Sequence, residues 1–383
     1  MAAVVPFTSA AKRHFEKLGT YSWTPGAGQV LLTTGTNSQV KAYPYLRSFW
    51  IHVTASGGSG GTVAADGPWN CLQAIMVADS NGSAIYGSQL FNGWDGYVSH
   101  LLSGRTPGAD DPTLFPFTSL AGPNFEFAFR INLEFNHRTG AGCLPNMSSN
   151  AAYGLFLTGA TSAQIWSAAP TTIPTVSVDV WMECWTLPKE VDLAGRNQMQ
   201  GPPLLGTTMY TSKQSYTNLV GSGANTITIT RKGNMWRKLI HVLRSSTGAR
   251  QAITLYPNPY EFWWDGNRLT SDDPKHIQSL MVEENDGLLQ AASVASVPVG
   301  VLVAPYDFSA PYGEDYGGDG EGGWLATTQA GRYEFIGSNW GAVPGGTLDV
   351  ITMDVAPIAL HDQYQLDAQT GKLLYPAQIE TRG

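Results

Sequence analysis

Polar and apolar residues alternate along much of this chain with a period of two, the spacing that sends successive side chains to opposite faces of a strand. Residues 124–135 show it most plainly, with Phe125, Phe127, Phe129, Ile131 and Leu133 on one side and Glu126, Arg130, Asn132 and Glu134 on the other. That pattern predicts a strand with one apolar face and one solvated face. Runs rich in β-branched and aromatic residues predict further strands over residues 29–34, 46–53, 72–78, 176–182, 226–230, 235–243, 260–264, 299–303 and 348–355. Helical spacing is confined to a few stretches. Residues 8–18 place Phe7, Ala11, Phe15 and Leu18 on one face, with Thr8 or Ser9 as cap and Gly19 as stop, which predicts an N-terminal amphipathic helix. Residues 89–102 permit a second helix, and Asp272-Asp273-Pro274 opens a third that runs to Glu284.

The order of these elements recurs. Strand 46–53, a glycine loop, strand 72–78, the turn Asp79-Ser80-Asn81-Gly82 and a helical run are followed, half a chain later, by strand 235–243, a loop, strand 260–264, the turn Asp265-Gly266-Asn267 and a helical run. Ile51-His52-Val53 is echoed by Ile240-His241-Val242. Each block is preceded by a short β run and closed by a strand that ends near a proline, Pro188 or Pro357. A repeat at half the chain length predicts two like domains in tandem. The resulting division is an N-terminal arm over residues 1–27, a first domain over 28–188, a glycine- and proline-rich linker over 189–206, a second domain over 207–360 and a tail over 361–383.

Composition agrees with an all-β reading. The chain has 383 residues, 43 of them Gly and 23 Pro, with 14% charged and 11% aromatic residues, which suits short strands joined by many turns. A net charge of −8 without a block of like charges provides none of the phosphate attraction on which nucleic-acid binding rests, so no direct nucleic-acid contact is expected. The opening Met1-Ala2-Ala3-Val4-Val5-Pro6 has its basic residues after its apolar run, the reverse of a secretory signal, which predicts synthesis in the cytosol.

Chemical motifs are weak. Gly57-Gly58-Ser59-Gly60-Gly61 matches the letters of a hydrolase nucleophile elbow, but its flanks read as strands without parallel βαβ units, where an elbow needs a strand-to-helix turn. Cys71, Cys143 and Cys184 lack zinc-ligand spacing and are expected to be plain thiols. Carboxylates such as Glu126 with Glu134, or Asp179 with Glu183, are of the type that serves glycoside hydrolysis, though spacing alone does not bring them together. Residues 305–324 carry Asp307, Glu314, Asp315, Asp319 and Glu321 without the order of an EF-hand, and read as a surface-contact loop. No catalytic, cofactor or metal site is expected. The N-terminal helix is a second candidate contact element: Lys12, Arg13 and Lys17 lie off its apolar stripe with only Glu16 against them, which fits a membrane-surface or shell-contact arm, while docking on its own domain is the plainer alternative.

The tandem β domains, the repeated strands around Trp50 to Val53 and Trp236 to Val242, the two tight turns, the helices after them and the N-terminal helix together resemble the double jelly-roll major capsid proteins of tailless, membrane-containing icosahedral double-stranded DNA phages, the tectivirus group. The resemblance covers most of the chain. It implies two tandem eight-stranded jelly rolls, a homotrimer of pseudo-hexagonal outline, contacts with neighbouring capsid trimers, an internal membrane and minor capsid proteins, and a place in the virion after synthesis in the host cytoplasm. It also implies that Phe7, Lys12, Arg13, Phe15, Lys17 and Leu18 make membrane or shell contact. A tandem jelly-roll lectin and a glycan-active hydrolase are the alternatives.

Overall fold

The computed structural model describes residues 7–34, 38–102, 122–136, 139–147, 152–188, 201–217, 219, 223–284, 300–303, 325–327, 331–338, 345–357, 365–366 and 373–374. The acidic stretch 305–324 and most of the linker therefore lie outside the described residues. The first half of the chain forms α1 (Phe7–Ala10), β1 (Arg13–Trp23), β2 (Val30–Leu31), β3 (Tyr45–Ser56), β4 (Thr62–Val63), β5 (Leu72–Ala78), β6 (Ala84–Ser88), α2 (Gly93–Leu101), β7 (Phe125–Asn132), β8 (Leu144–Pro145), β9 (Gly154–Gly159), α3 (Ser162–Ile165), β10 (Trp166–Ala168) and β11 (Thr175–Trp185). The second half forms β12 (Thr207–Tyr216), β13 (Ala224–Thr228), β14 (Met235–Arg244), β15 (Tyr260–Trp264), β16 (Asn267–Asp272), α4 (Pro274–Glu284), β17 (Val301–Val303), β18 (Leu325–Ala326), β19 (Tyr333–Ser338) and β20 (Thr347–Pro357), followed by the small pair β21 (Gln365–Leu366) and β22 (Leu373–Leu374).

Strand order explains the repeat seen in the sequence. The first half stacks β1-β11-β3-β7 on β2-β9-β5-β6, and the second stacks β12-β20-β14-β17 on β13-β19-β15-β16. Leaving out the short strands β4, β8, β10 and β18, each half joins its first, eighth, third and sixth strands in one sheet and its second, seventh, fourth and fifth in the other. That is a jelly roll, and the chain holds two. In each, a helix follows the fifth strand, α2 after β6 and α4 after β16.

Local chemistry fixes these elements. Asp265 and Gly266 both take positive φ, 48° and 80°, the geometry of a two-residue hairpin turn whose twist matches β15 and β16. At the β5–β6 turn, Asp79 Oδ1 accepts the backbone N–H groups of Asn81 at 2.9 Å and Ser83 at 2.8 Å. Asn92 and Asp95 form a reciprocal capping box that starts α2.

The rolls are not separate bodies on a string. β12 runs parallel to β6 through the pair Thr211↔Tyr86, so the β2-β9-β5-β6 sheet continues into the second roll as one nine-stranded sheet. The parallel sense of β6 and β12 also means that both rolls stand the same way up. Met209, Ile240, Val242, Val301, Val303, Ile351, Met353 and Val355, from the outer face of the second roll's first sheet, share a core with first-roll residues that include Tyr86, Trp94, Tyr97 and Val98. The second roll keeps its own core around Trp236, Leu239, Tyr260, Phe262, Tyr333 and Phe335.

Three expectations are corrected. The N-terminal helix is a single turn, Phe7–Ala10, and residues 13–23 are β1, a strand of the first roll rather than part of an arm. Both periods fit Arg13 to Leu18, and β11 decides between them by offering a continuous line of backbone partners from Trp185 to Val176. Gly19, expected to stop a helix, marks a bulge in that ladder. The polar side of β7 is not solvated, because Arg130, Asn132 and the following Glu134 are buried. Finally, the echoed tripeptides lie on the corresponding third strands but out of phase: His52 is half-exposed beside Glu126, whereas His241 is buried beside Tyr260 in the second core. A shift of one residue moves a side chain to the other face of the sheet, so the likeness of letters was not a likeness of position.

Candidate functional site: the junction of the rolls and the open sheet face

Charged side chains clamp the seam between the rolls. Asp95, fully buried in the first turn of α2, accepts from Lys213 Nζ of β12 at 2.8 Å, and the same ammonium lies 3.4 Å from Asp349 of β20. Arg244 of β14 donates through Nε to Asp349 at 2.9 Å and through Nη1 to Asp66 at 2.6 Å. Arg250 donates to the other oxygen of Asp66 at 2.7 Å and to the Ala65 carbonyl at 2.6 Å. Both guanidinium groups also sit over the Trp94 ring, at 5.1 and 4.8 Å. Aspartates 66 and 95 come from the first roll and the three cations from the second, so the pairing crosses the seam. Burial raises the Asp95 pKa despite Lys213 and Arg244, while for Lys213 burial acts downward and Asp95 and Asp349 outweigh it, leaving its pKa raised.

A second buried cluster ties together the end of the first roll where β1 and β3 begin and β7 and β11 finish. Arg47, in a bulge of β3, donates to Glu134 Oε2 at 2.7 Å and to Glu183 Oε1 at 2.8 Å, with its Nη2 also on Glu134. Glu183 additionally receives Arg13 Nε at 2.7 Å, Ser48 Oγ at 3.0 Å and Arg130 Nη1 at 3.1 Å. Trp185 Nε1 donates to Glu134 at 3.3 Å, and its ring lies 4.1 Å below the Arg47 guanidinium. The structure thus brings together Glu134 and Glu183, which the sequence had set in different candidate pairs, and does so around arginines. Carboxylates held by this many donors brace the fold rather than offer an oxygen to a substrate.

The predicted contact residues divide. Phe7 is buried against Tyr45 and Trp185, with ring centroids 5.5 and 5.8 Å away, and belongs to a small core with Ala11 and Cys143. Leu18 packs against the main core. Lys12 is exposed; its backbone N–H donates to Thr186 Oγ1 at 2.9 Å and its carbonyl accepts from the Thr186 backbone N–H at 2.9 Å. Arg13, Phe15 and Lys17 point outward together: Arg13 lies 5.5 Å from the Phe15 ring, and Lys17 contacts Asp179 at 2.8 Å and lies 5.6 Å from the Trp181 ring. Phe15 and Trp181 are 46% and 39% exposed, which makes this face an aromatic and basic surface rather than a plain solvated one.

Other motifs resolve simply. Ser59 bridges to Thr172, its hydroxyl donating to Thr172 Oγ1 at 3.0 Å, in a loop between strands and not at a strand-to-helix turn. The three cysteines are buried free thiols, and burial raises the pKa of each. Among the described residues no His, Cys, Asp and Glu group is arranged to hold a metal, and no helix is long and apolar enough to cross a membrane.

No family profile matches the chain, and no curated protein matches it by sequence. Solved structures do. The major capsid protein of Sulfolobus Turreted Icosahedral Virus matches with a TM-score of 0.56 at 13% identity, over 90% of this chain and 97% of its own. PBCV-1 VP54 matches with a TM-score of 0.59 at 12% identity, over 95% and 97%. The major capsid protein of bacteriophage PM2 matches with a TM-score of 0.52 at 10% identity, over 91% and 99%. These are double jelly-roll major capsid proteins, and this chain shares their fold along nearly its whole length.

Proposed function

We propose that this chain is the major shell protein of an icosahedral virus particle, assembling as pseudo-hexagonal homotrimers around an internal membrane. One observation carries the reading: two jelly rolls stand parallel, share a sheet and are clamped by buried ion pairs, so each chain supplies two like wedges at a fixed angle. Three such chains close a ring of six wedges, an outline that tiles a shell. The fold shared with viral capsid proteins supports it, and the sequence-derived domains, 28–188 and 207–360, become the two wedges once residues 13–23 are added to the first. On this reading Lys12, Arg13, Phe15 and Lys17 contribute shell or membrane contact, whereas Phe7 and Leu18 anchor the strand that presents them. Minor capsid proteins and neighbouring trimers are the partners, and the protein is made in the host cytoplasm.

Native mass spectrometry and electron microscopy of the purified protein test the proposal. Trimers of hexagonal outline, or closed shells, are expected. A protein that stays monomeric at high concentration, and instead binds or cleaves glycans, would replace the shell reading with a lectin or hydrolase.

A further inference from the structure

The buried ion pair between Lys213 and Asp95 is also a pair of reactants. A primary amine and a carboxyl group condense to an amide when they are held together, kept dry and given a neighbour that moves protons. All three conditions hold at the seam. Lys213 Nζ lies 2.8 Å from Asp95 Oδ2 and 3.4 Å from Asp349 Oδ2, and the three side chains are 8%, 0% and 5% exposed. Trp94, Tyr97, Ile351 and Met353, buried in the shared core, keep bulk water away. Neither reactant can swing aside. β12 pairs with β20 along its whole length, and Asp95 is fixed by the capping box, in which its Oδ2 accepts the Asn92 N–H at 2.9 Å.

Distance alone does not single this pair out. Lys17 stands as close to Asp179, at 2.8 Å, and Lys41 lies 2.9 Å from Glu16, but these side chains are a third to a half exposed and their charges stay hydrated. At the seam both ions are out of water, which favours the uncharged acid and amine. Burial raises the Asp95 pKa toward the protonated acid. Burial alone would strip Lys213 of its proton; Asp95 and Asp349 hold it there, and the same two carboxylates are placed to receive it. Condensation consumes one charge of each sign and leaves Arg244 and Arg250 facing Asp66 and Asp349, two cations against two anions. The Tyr86 and Ser99 hydroxyls are buried beside the carboxyl, Ser99 one helical turn on from Asp95 and Tyr86 close to both. They are placed to donate to the oxygen that carries negative charge during the attack.

We infer that Lys213 and Asp95 condense in the folded chain to an isopeptide bond, a covalent strap between the second roll and the first. A proton passes from the Lys213 ammonium to the Asp95 carboxylate, and the freed Nζ lone pair attacks Cγ. Asp349 takes a second proton from the nitrogen and gives it to the hydroxyl on Cγ. That hydroxyl leaves as water, so one Cγ–O bond breaks and the Nζ–Cγ amide remains. Asp349 ends as it began, and no other reactant is used.

The test is the intact mass of the full-length protein, purified folded and then denatured under reducing conditions. The native chain is expected to be lighter than its sequence by one water, and digestion should yield a branched peptide that joins the Lys213 segment to the Asp95 segment. Cutting the chain at a point between these residues, which stand 118 apart, should leave two pieces that stay together in denaturant. Lys213→Arg, which keeps the charge without a comparable nucleophile, should show the full sequence mass. Asp349→Asn, which retains both reactants, should slow the loss of water by on the order of a hundredfold in freshly folded protein. A native chain still at its full sequence mass after days of incubation would overturn the inference. So would water loss that persists in Lys213→Arg, or that maps elsewhere, as to a succinimide at Asp265-Gly266. An unchanged rate in Asp349→Asn would overturn the proton path through Asp349. Each of these outcomes leaves the shell reading standing, because mass and assembly are measured separately.

Discussion

His241 gives the second roll a specific sensitivity to acid. Its ring is fully buried between Tyr260, whose hydroxyl lies 2.7 Å from Nδ1, and Phe335, with a centroid 4.2 Å away. Burial lowers its pKa from 6.5 to about 3. The unfolded chain takes up this proton below 6.5 while the folded chain refuses it, so stability is complete above that pH and declines as pH falls toward 3. At about 1.4 kcal/mol per pH unit, the loss is about 2 kcal/mol by pH 5 and approaches about 5 kcal/mol near pH 3. Carboxylate pairs also weaken in acid, so the informative quantity is a difference. Urea unfolding of the native protein and of His241→Gln, which keeps a polar contact for Tyr260 without a titrating ring, should be compared from pH 7.5 to 4. The native protein is expected to lose stability faster by about 1.4 kcal/mol per unit below pH 6. Parallel profiles would refute the assignment of a neutral buried imidazole.

Further substitutions probe the other features. Arg47→Met leaves Glu134 and Glu183 without their shared cation and should cost about 3–5 kcal/mol, seen as a melting temperature lower by on the order of 10 °C. Arg244→Leu removes the cation between Asp66 and Asp349, and should speed amide exchange in residues 64–71 and in β14 while the core of the second roll stays protected. Phe7→Ala should cost about 3 kcal/mol and Lys12→Ala close to nothing, by thermal melting, because only the first side chain is packed. Gly87→Ala sets a Cβ 2.0 Å from the Ile75 carbonyl at a φ of +71°, and should reduce soluble yield sharply.

Much of the fold was legible because alternation and turn chemistry are local. The strands, the Asp79 and Asp265 turns and the helices at α2 and α4 each carry their signal within a few residues. The site was not, because alternation tells which side a residue faces and not what covers that side. Arg47, Glu183, Arg244 and Asp349 each interrupt an apolar strand, and a lone charge in such a run is a usable sign of a buried pair, but its partner lies far away in sequence. Residues 13–23 failed differently: two periods fitted, and only pairing with β11, more than 150 residues away, selected the strand. The join of β6 to β12 left no local mark.

The direction of the strands bears on how this protein can be modified. Arg13 pairs with Trp185 and Thr207 with Pro357, and the rolls point the same way, so entry to and exit from both rolls fall at one end. The connections after β1 and β3 lie at the opposite end, where Gly28 and Gly57 have open space around them. A foreign peptide inserted at either glycine would therefore be carried at the end of the molecule opposite Arg13, Trp185, Thr207 and Pro357, away from the end at which both rolls are entered and left.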